Sequence, residues 1–326
     1  MTESQIVAIP QHMMNAVRQH SYGESAVLRV ELAPRPQLGA EDILIRVHAA
    51  GINPVDWKTR RGQGVAHLMP GFPLIPGWDV SGVVVEVGAA VSEWRHGDEV
   101  YGMLRFPQPG AAYAEYASAP AAHVARKPVS IDHIHAAALP LAALTAWQAL
   151  FDTAALQPGQ RVLVHAASGG VGHLAVQLAK WRGARVLATT SAKNADLVRS
   201  LGADEVIDYT VAPFEQAARE LDLVLDCVGG DVSLRSLAVL RPGGLLVSIV
   251  GFPDGLTEQA VACGLRAERM LVRPDQQQLI RLAQLVDGGQ LRPVIAAVFS
   301  LAQAAQAHEL GELGRTVGKL VLQVAE

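Results

Sequence analysis

The stretch that most constrains this chain is Ala167-Ser168-Gly169-Gly170-Val171-Gly172. A β-branched run at 162–164 precedes it. The residues after it, 171–182, read as a helix with apolar Leu174, Ala175 and Leu178 on one side. A strand, a glycine turn and a helix in that order make the opening of a βαβ unit. The A-x-G-x-x-G spacing is that of a dinucleotide-binding turn whose first glycine is alanine. Glycines there let backbone N–H groups approach a pyrophosphate at a helix N-terminus, where the helix dipole favours negative charge. The same residues allow a second reading. From Ala166 to Gly170 they approximate A-x-S-x-G, the elbow of an α/β-hydrolase with Ser168 as nucleophile. That chemistry needs an acid and then a histidine downstream, and Asp226 and His308 stand in the right order. But His308 falls inside an amphipathic helical pattern, and no oxyanion-type glycine run lies upstream. The phosphate cradle is the stronger reading.

The surrounding texture agrees with it. Through residue 130 the chain is broken by Pro34, Pro36, Pro54, Pro70, Pro73, Pro76, Pro107 and Pro109 and is rich in short β-type runs, at 15–18, 27–32, 42–49, 80–87 and 99–102. This predicts a β-rich barrel domain. From residue 130 strands and helices alternate. Strands are expected at 161–165, 185–189, 205–207, 224–227 and 245–250, and helices at 171–182, 194–201 and 233–240. Alternation of this kind predicts a doubly wound parallel α/β sheet. A helix at 276–287, an amphipathic helix at 301–310 and a strand at 319–324 complete the chain.

At 326 residues two domains are expected. A net charge of −4 offers no electrostatic footprint for nucleic acid or an anionic membrane. Cys227 and Cys263 are the only cysteines, too few for a disulfide framework. The apolar run 136–151 contains Pro140 and is shorter than the about 20 residues of a membrane helix, so a buried helix is expected. Residues 1–15 read as a loose leader without a secretory pattern, and a soluble cytoplasmic protein is expected.

NAD enzymes usually end their second sheet strand in an acid that binds the ribose hydroxyls. Here that strand runs into Thr189-Thr190-Ser191-Ala192-Lys193, hydroxyls and a lysine in place of a carboxylate. A 2′-phosphate would be accepted there, so the expected cofactor is NADPH.

With these features read, the chain resembles the medium-chain dehydrogenase/reductase superfamily, in its zinc-free quinone oxidoreductase (zeta-crystallin-like) and alkenal/enone reductase branch. The resemblance rests on Gly51-Ile52-Asn53-Pro54-Val55-Asp56-Trp57-Lys58, Ile75-Pro76-Gly77-Trp78-Asp79-Val80-Ser81-Gly82 and Leu144-Thr145-Ala146-Trp147. It continues through the glycine turn, Gly202-Ala203-Asp204-Glu205-Val206-Ile207-Asp208-Tyr209, and the closing Gly318-Lys319. It implies a Rossmann sheet, residues 134–274, inserted in a β-rich GroES-like barrel domain formed by 1–133 and completed by 275–326. The active site would lie in the cleft between them.

By position, the resemblance puts Asn53 and Lys58 beside nicotinamide or substrate as the catalytic pair, and Thr145 near the nicotinamide. Gly169, Gly170 and Val171 would hold the pyrophosphate, and Ser191, Lys193 and Tyr209 the adenosine phosphate. Val250 and Gly251 would face the carboxamide, with Lys319 a further cofactor contact. Zinc members carry a cysteine at Asn53 and a His-Glu pair at Trp78-Asp79, so no metal is expected. Some quinone reductases carry tyrosine where Lys58 stands.

The implied reaction is hydride transfer from NADPH to a quinone or an α,β-unsaturated carbonyl, by a homodimer acting on a small molecule. A non-catalytic, crystallin-like or RNA-binding role is the competing class. Trp57, Trp78, Phe106 and Tyr113 are candidates for a substrate slot or for ordinary core. Asp56 is a candidate proton donor or turn partner, and Cys227 a small residue near the adenosine.

Overall fold

The computed structural model describes residues 12–325. In chain order its strands are β1 (Met13–Arg18), β2 (Arg29–Pro34), β3 (Asp42–Ile52), β4 (Asp79–Val87), β5 (Glu99–Met103), β6 (Tyr116–Pro120), β7 (Val124–Arg126), β8 (Arg161–Val164), β9 (Arg185–Thr190), β10 (Glu205–Asp208), β11 (Leu221–Asp226), β12 (Leu240–Ser248), β13 (Arg266–Arg269), β14 (Ile295–Ser300) and β15 (Lys319–Gln323). The α-helices are α1 (Pro54–Arg60), α2 (His133–Ala137), α3 (Pro140–Trp147), α4 (Gly172–Trp181), α5 (Ala195–Ser200), α6 (Asp231–Ser236), α7 (Leu256–Ala262), α8 (Gln276–Asp287) and α9 (Ala304–Glu312).

Two large sheets organise the molecule. One is a parallel six-stranded sheet in the order β10-β9-β8-β11-β12-β13. The order reverses direction between β8 and β11, and in open α/β sheets ligands bind outside the strand ends at such a switch point. The glycine turn follows β8 directly, so it stands at that point. The other sheet runs β14-β15-β3-β4-β5-β7, with β6 added to β3. Its β15, from the end of the chain, pairs antiparallel with β3, bringing Leu320 opposite Ile52. Continued by one residue, this register sets Lys319 against Asn53. One apolar cluster runs across both sheets, from Trp78, Tyr101 and Met103 through α3 and α8 to Val162 and Leu174. The Tyr101 hydroxyl donates to the Leu279 carbonyl of α8 at 2.6 Å, so the aromatic ring is buried with its polar end satisfied.

The helix expected at 276–287 has those bounds, and α4 differs from its expected span by one residue at each end. Other elements differ for identifiable reasons. The expected buried helix at 136–151 is divided. α2 ends at Ala137, and Pro140 opens α3, since proline is accommodated in a first helical turn. A wider π turn, Gln148–Thr153, then continues α3. Pro242-Gly243-Gly244 lies inside β12, where the pairing with β11 is irregular between Leu221 and Leu223. The first strand begins at Met13, inside the expected leader, because β2 pairs along its whole length. The rest of the expected leader, 1–11, lies outside the described residues. β6, β7, β13 and β14 had no sequence expectation. β13 is mostly exposed and reads Arg-Ala-Glu-Arg, so only its pairing to β12 makes it a strand. No helix among the described residues is long and apolar enough to cross a membrane.

Candidate active-site cleft

The glycine turn divides its labour. A Cβ on Gly172 would lie 2.3 Å from the Ala166 carbonyl oxygen and 2.8 Å from the Ala167 Cα. Glycine is therefore required there for α4 to seat against the end of β8. A Cβ on Gly170 would meet no backbone closer than 3.6 Å, and its nearest neighbour is the Lys319 Cδ at 3.3 Å. Gly170 thus opens toward the space in front of the turn, the cradle a pyrophosphate requires.

Ser168 is not arranged as a nucleophile. Its hydroxyl accepts from the Thr190 hydroxyl at 3.0 Å and from Asn194 Nδ2 at 3.2 Å, tying the turn to the end of β9. Asp226 is occupied by the amides of Val228 and Gly229 and by the Ser233 hydroxyl. His308 is buried between Arg60 and Tyr113. No base reaches Ser168, so the hydrolase reading has no triad.

On one side of the turn lies a cavity of about 640 Å³ lined by Ser168, Thr190, Ser191, Lys193, Asn194 and Tyr209 and, from the last loop, by Arg315 and Thr316. Of its cations, Arg235 is paired to Glu215. Lys193 and Arg315 have no carboxylate partner among the described residues. No acidic side chain lines the cavity. Asp208 is nearby in sheet register, opposite Thr190, but its carboxylate accepts from the Thr210 amide and hydroxyl. Those bonds hold it below the usual carboxylate range. The three expected adenosine-phosphate residues, Ser191, Lys193 and Tyr209, all line this cavity. Arg315 and Thr316 join them from more than a hundred residues away, and no local pattern marked them.

On the other side a cleft of about 260 Å³ is lined by Asn53, Trp57, Gly169, Gly170, Val171, Cys227, Val250, Thr316 and Lys319, among others. Asn53 precedes α1, and its backbone N–H donates to the Asp56 carboxylate at 2.6 Å. The Asn53 side chain is buried at the cleft wall and makes two further hydrogen bonds. Its Nδ2 donates to Asp79 Oδ2 at 2.8 Å, and its Oδ1 accepts from Lys319 Nζ. Lys319 Nζ also donates to the Ile52 carbonyl at 2.9 Å and lies 4.0 Å from Asp79 Oδ2. Asp79 Oδ1 accepts from the Leu141 amide at 2.9 Å. Burial pushes Asp79 up to about 6, partly offset by Lys319, and pushes Asp56 up to about 7. Burial likewise lowers Lys319, against the attraction of Asp79.

Several expected positions fall elsewhere. Lys58 is exposed on α1 and does not line the cleft. The basic group beside Asn53 is Lys319. The Thr145 hydroxyl is spent on the Leu141 carbonyl within α3, one turn from Leu141 and Ala142, which do line the cleft. Gly251 stands beside the lining residue Val250, its amide donating to the Ser248 hydroxyl. Cys227 lines the cleft and not the adenosine side, and burial raises its thiol. Trp57 lines the cleft, whereas Trp78, Phe106 and Tyr113 are core. Asp56 holds the α1 start and accepts from the Tyr113 hydroxyl at 2.9 Å, away from the cleft lining. Asp79 was missed as a site residue, although it sits in one of the segments that carried the resemblance.

The comparisons with known proteins bear on this geometry. A family model described as "Alcohol dehydrogenase GroES-like domain" matches residues 39–129 and one described as "Zinc-binding dehydrogenase" matches 201–322. A tomato (Solanum lycopersicum) 2-methylene-furan-3-one reductase is 36% identical, over 97% of this chain and 80% of its own length. The chain belongs to the zinc-free quinone oxidoreductase branch of the medium-chain dehydrogenase/reductase superfamily. Within that superfamily, the chloroplastic NADPH-dependent alkenal/one oxidoreductase of Arabidopsis thaliana is 36% identical over 92% of this chain and 77% of its own. The quinone oxidoreductase of Coxiella burnetii superposes with a TM-score of 0.89 at 38% identity, over 96% of this chain and all of that one. The activity class is that of an NAD(P)H-dependent oxidoreductase acting on a small molecule. At the positions where the resemblance puts the metal ligands of zinc members, this chain has the Asn53 amide, the core indole of Trp78 and the lysine-paired Asp79. Among the described residues no three His, Cys, Asp or Glu side chains gather as ligands.

Proposed function

We propose that this reductase uses NADPH in preference to NADH, and that its acceptors are α,β-unsaturated carbonyls and quinones. The cofactor preference is supported by a cavity with no acidic lining, in which Lys193 and Arg315 carry unpaired positive charge beside Ser191 and Tyr209. Gly169, Gly170 and Val171 would hold the pyrophosphate, and Val250 with Gly251 the carboxamide side. The Thr316 hydroxyl oxygen, buried without a partner and lining both cavities, is a further candidate contact. When bound, the dihydronicotinamide supplies a hydride.

The observation that carries the acceptor reading is the Asn53–Lys319 pair. An ammonium has three donors and a carboxamide nitrogen two. Lys319 spends two, on Ile52 and Asn53, and Asn53 Nδ2 spends one, on Asp79. By that count each has one N–H to spare, and both residues line a cleft whose remaining lining is mostly apolar. Hydride addition at the β-carbon of an enone, or to a quinone, leaves negative charge on the carbonyl oxygen. Two fixed donors in a mostly apolar cleft stabilise that charge as it develops. The proton that completes the reduction enters from water.

The acidic surface balance gives no support to an RNA-binding role. Residues 1–133 with 275–326 would act as the substrate-side unit and 134–274 as the cofactor unit. A homodimer is expected, and the edge strand β13 has backbone groups available for it. The test is NADPH and NADH oxidation against a panel of quinones, 2-alkenals, enones and simple aldehydes. Turnover of simple aldehydes alone, or a preference for NADH, would refute the reading.

A further inference from the structure

His173 is the first side chain inside α4, and it is fully buried. Its Nε2 lies 3.1 Å from the Val294 amide nitrogen and its Nδ1 lies 2.8 Å from the Gly169 carbonyl oxygen. A backbone N–H only donates, so Nε2 is the bare nitrogen and Nδ1 carries the proton that Gly169 accepts. The ring is held neutral, with burial pulling it down to about 4. One turn further along α4, the Gln177 carboxamide accepts from the Arg292 amide at 2.9 Å and donates to the Arg292 carbonyl at 3.0 Å. Segment 292–294 is therefore fastened to α4 at two successive helical turns.

That segment is also bound to the strand that carries the carbonyl-side donors. The Lys319 amide donates to the Val294 carbonyl at 2.8 Å, and the Gly318 amide donates to the Ser168 carbonyl at 2.8 Å. A continuous path results, from Gly169 through the His173 ring and the N–H and C=O of Val294 to Lys319, whose Nζ reaches Asn53. At its other end the ring pins the Gly169 carbonyl. The peptide is planar, so the Gly170 N–H of the same unit points the opposite way from His173. A leucine would fill the same volume and make neither bond.

We propose that His173 is a positioning residue that sets the cofactor turn and the Asn53–Lys319 donors in one register, each ring nitrogen serving one half of the site. The proposal rests on the functional reading above. Gln177 reinforces the half that leads to Lys319.

The two halves are separable by substitution. In His173→Asn the amide nitrogen stands where Nδ1 stood, keeping the Gly169 bond and losing the one to Val294. In His173→Gln the longer side chain brings its oxygen to the Nε2 position, keeping Val294 and losing Gly169. Three readouts are needed on the purified full chain: NADPH Kd by direct binding, kcat at saturating NADPH with the best acceptor of the panel, and amide exchange at Val294 and Lys319. His173→Asn is expected to lower kcat about tenfold or more and to speed exchange at both amides, with Kd changed less than about threefold. His173→Gln is expected to raise Kd about tenfold and to leave kcat within about threefold. Gln177→Met, which does not depend on either His173 variant folding, should follow the asparagine pattern. Any other pattern overturns the proposal, in particular equal losses of Kd and kcat in all three variants, the mark of a merely structural residue. If no acceptor is turned over by the wild type, the functional reading fails. Exchange and Kd then still decide whether the two bonds act separately.

Discussion

Replacing Lys319 by methionine tests the site at its most charged point. The substitution keeps most of the buried stem and removes an ammonium that donates to Ile52 and Asn53 and lies 4.0 Å from Asp79 Oδ2. Breaking a buried ion pair from one side costs about 3–5 kcal/mol if the remaining charge must stay. Asp79 avoids part of that cost by taking up a proton. Burial already raises it from 3.8 to about 6 with the lysine present, and without the lysine it rises further. A carboxyl whose folded value is raised binds more protons folded than unfolded, so stability falls as pH rises from the unfolded value through the folded one. For the wild type that loss from Asp79 amounts to about 3 kcal/mol, spread between pH about 4 and 6. In the variant the decline continues above pH 6, and Asp56, also deprived of the lysine, moves the same way. The melting temperature of Lys319→Met should therefore fall more steeply than that of the wild type between pH 6 and 8. Catalytically, loss of one oxyanion donor should lower kcat by about 10²–10³. NADPH binding, followed by fluorescence titration, should change less than about threefold. A variant with wild-type kcat and a tenfold weaker NADPH Kd would refute the argument and make Lys319 a cofactor contact. A melting curve parallel to the wild type across that pH range would refute the electrostatic part.

Five further outcomes are expected. Lys193→Ala should weaken NADPH by about 1–2 kcal/mol with little effect on NADH, the scale of one charge-assisted hydrogen bond, as measured by titration of both cofactors; equal loss for both would remove Lys193 from the phosphate site. Gly170→Val should abolish tight NADPH binding in a protein that still unfolds cooperatively, because the nearest neighbour of the new Cβ is the Lys319 stem and no backbone stands closer than 3.6 Å. Gly172→Val should instead lower the melting temperature, because backbone stands 2.3 Å from its Cβ, and Ser168→Ala should keep reductase activity within about tenfold. Metal analysis of protein purified without chelator should find no stoichiometric zinc, and activity lost on chelation would count against the lysine-centred cleft.

Much of this protein could be read from local sequence, and the physical reason is range. The strand–turn–helix at 161–182 is written in side-chain periodicity and in glycines whose roles depend on neighbours a few residues away. The six-stranded parallel sheet follows from repetition of that unit. The absence of an acid after β9 is equally local, and it set the expectation of a phosphorylated cofactor. What lay beyond sequence were features made by pairing across long separations. Edge strands such as β13 have no apolar alternation and exist because a neighbour supplies their hydrogen bonds. Lys58 and Lys319 are each a lysine in a short β- or α-type context. Only the antiparallel pairing of β15 with β3 decides that Lys319 is buried beside Asn53 while Lys58, one turn into α1, faces solvent. Asp79 and Arg315 acquire meaning in the same way, from partners supplied by the fold. The chemistry of the cofactor turn was set by the chain's own local grammar; the chemistry of the acceptor side was decided by closing one end of the chain onto the other.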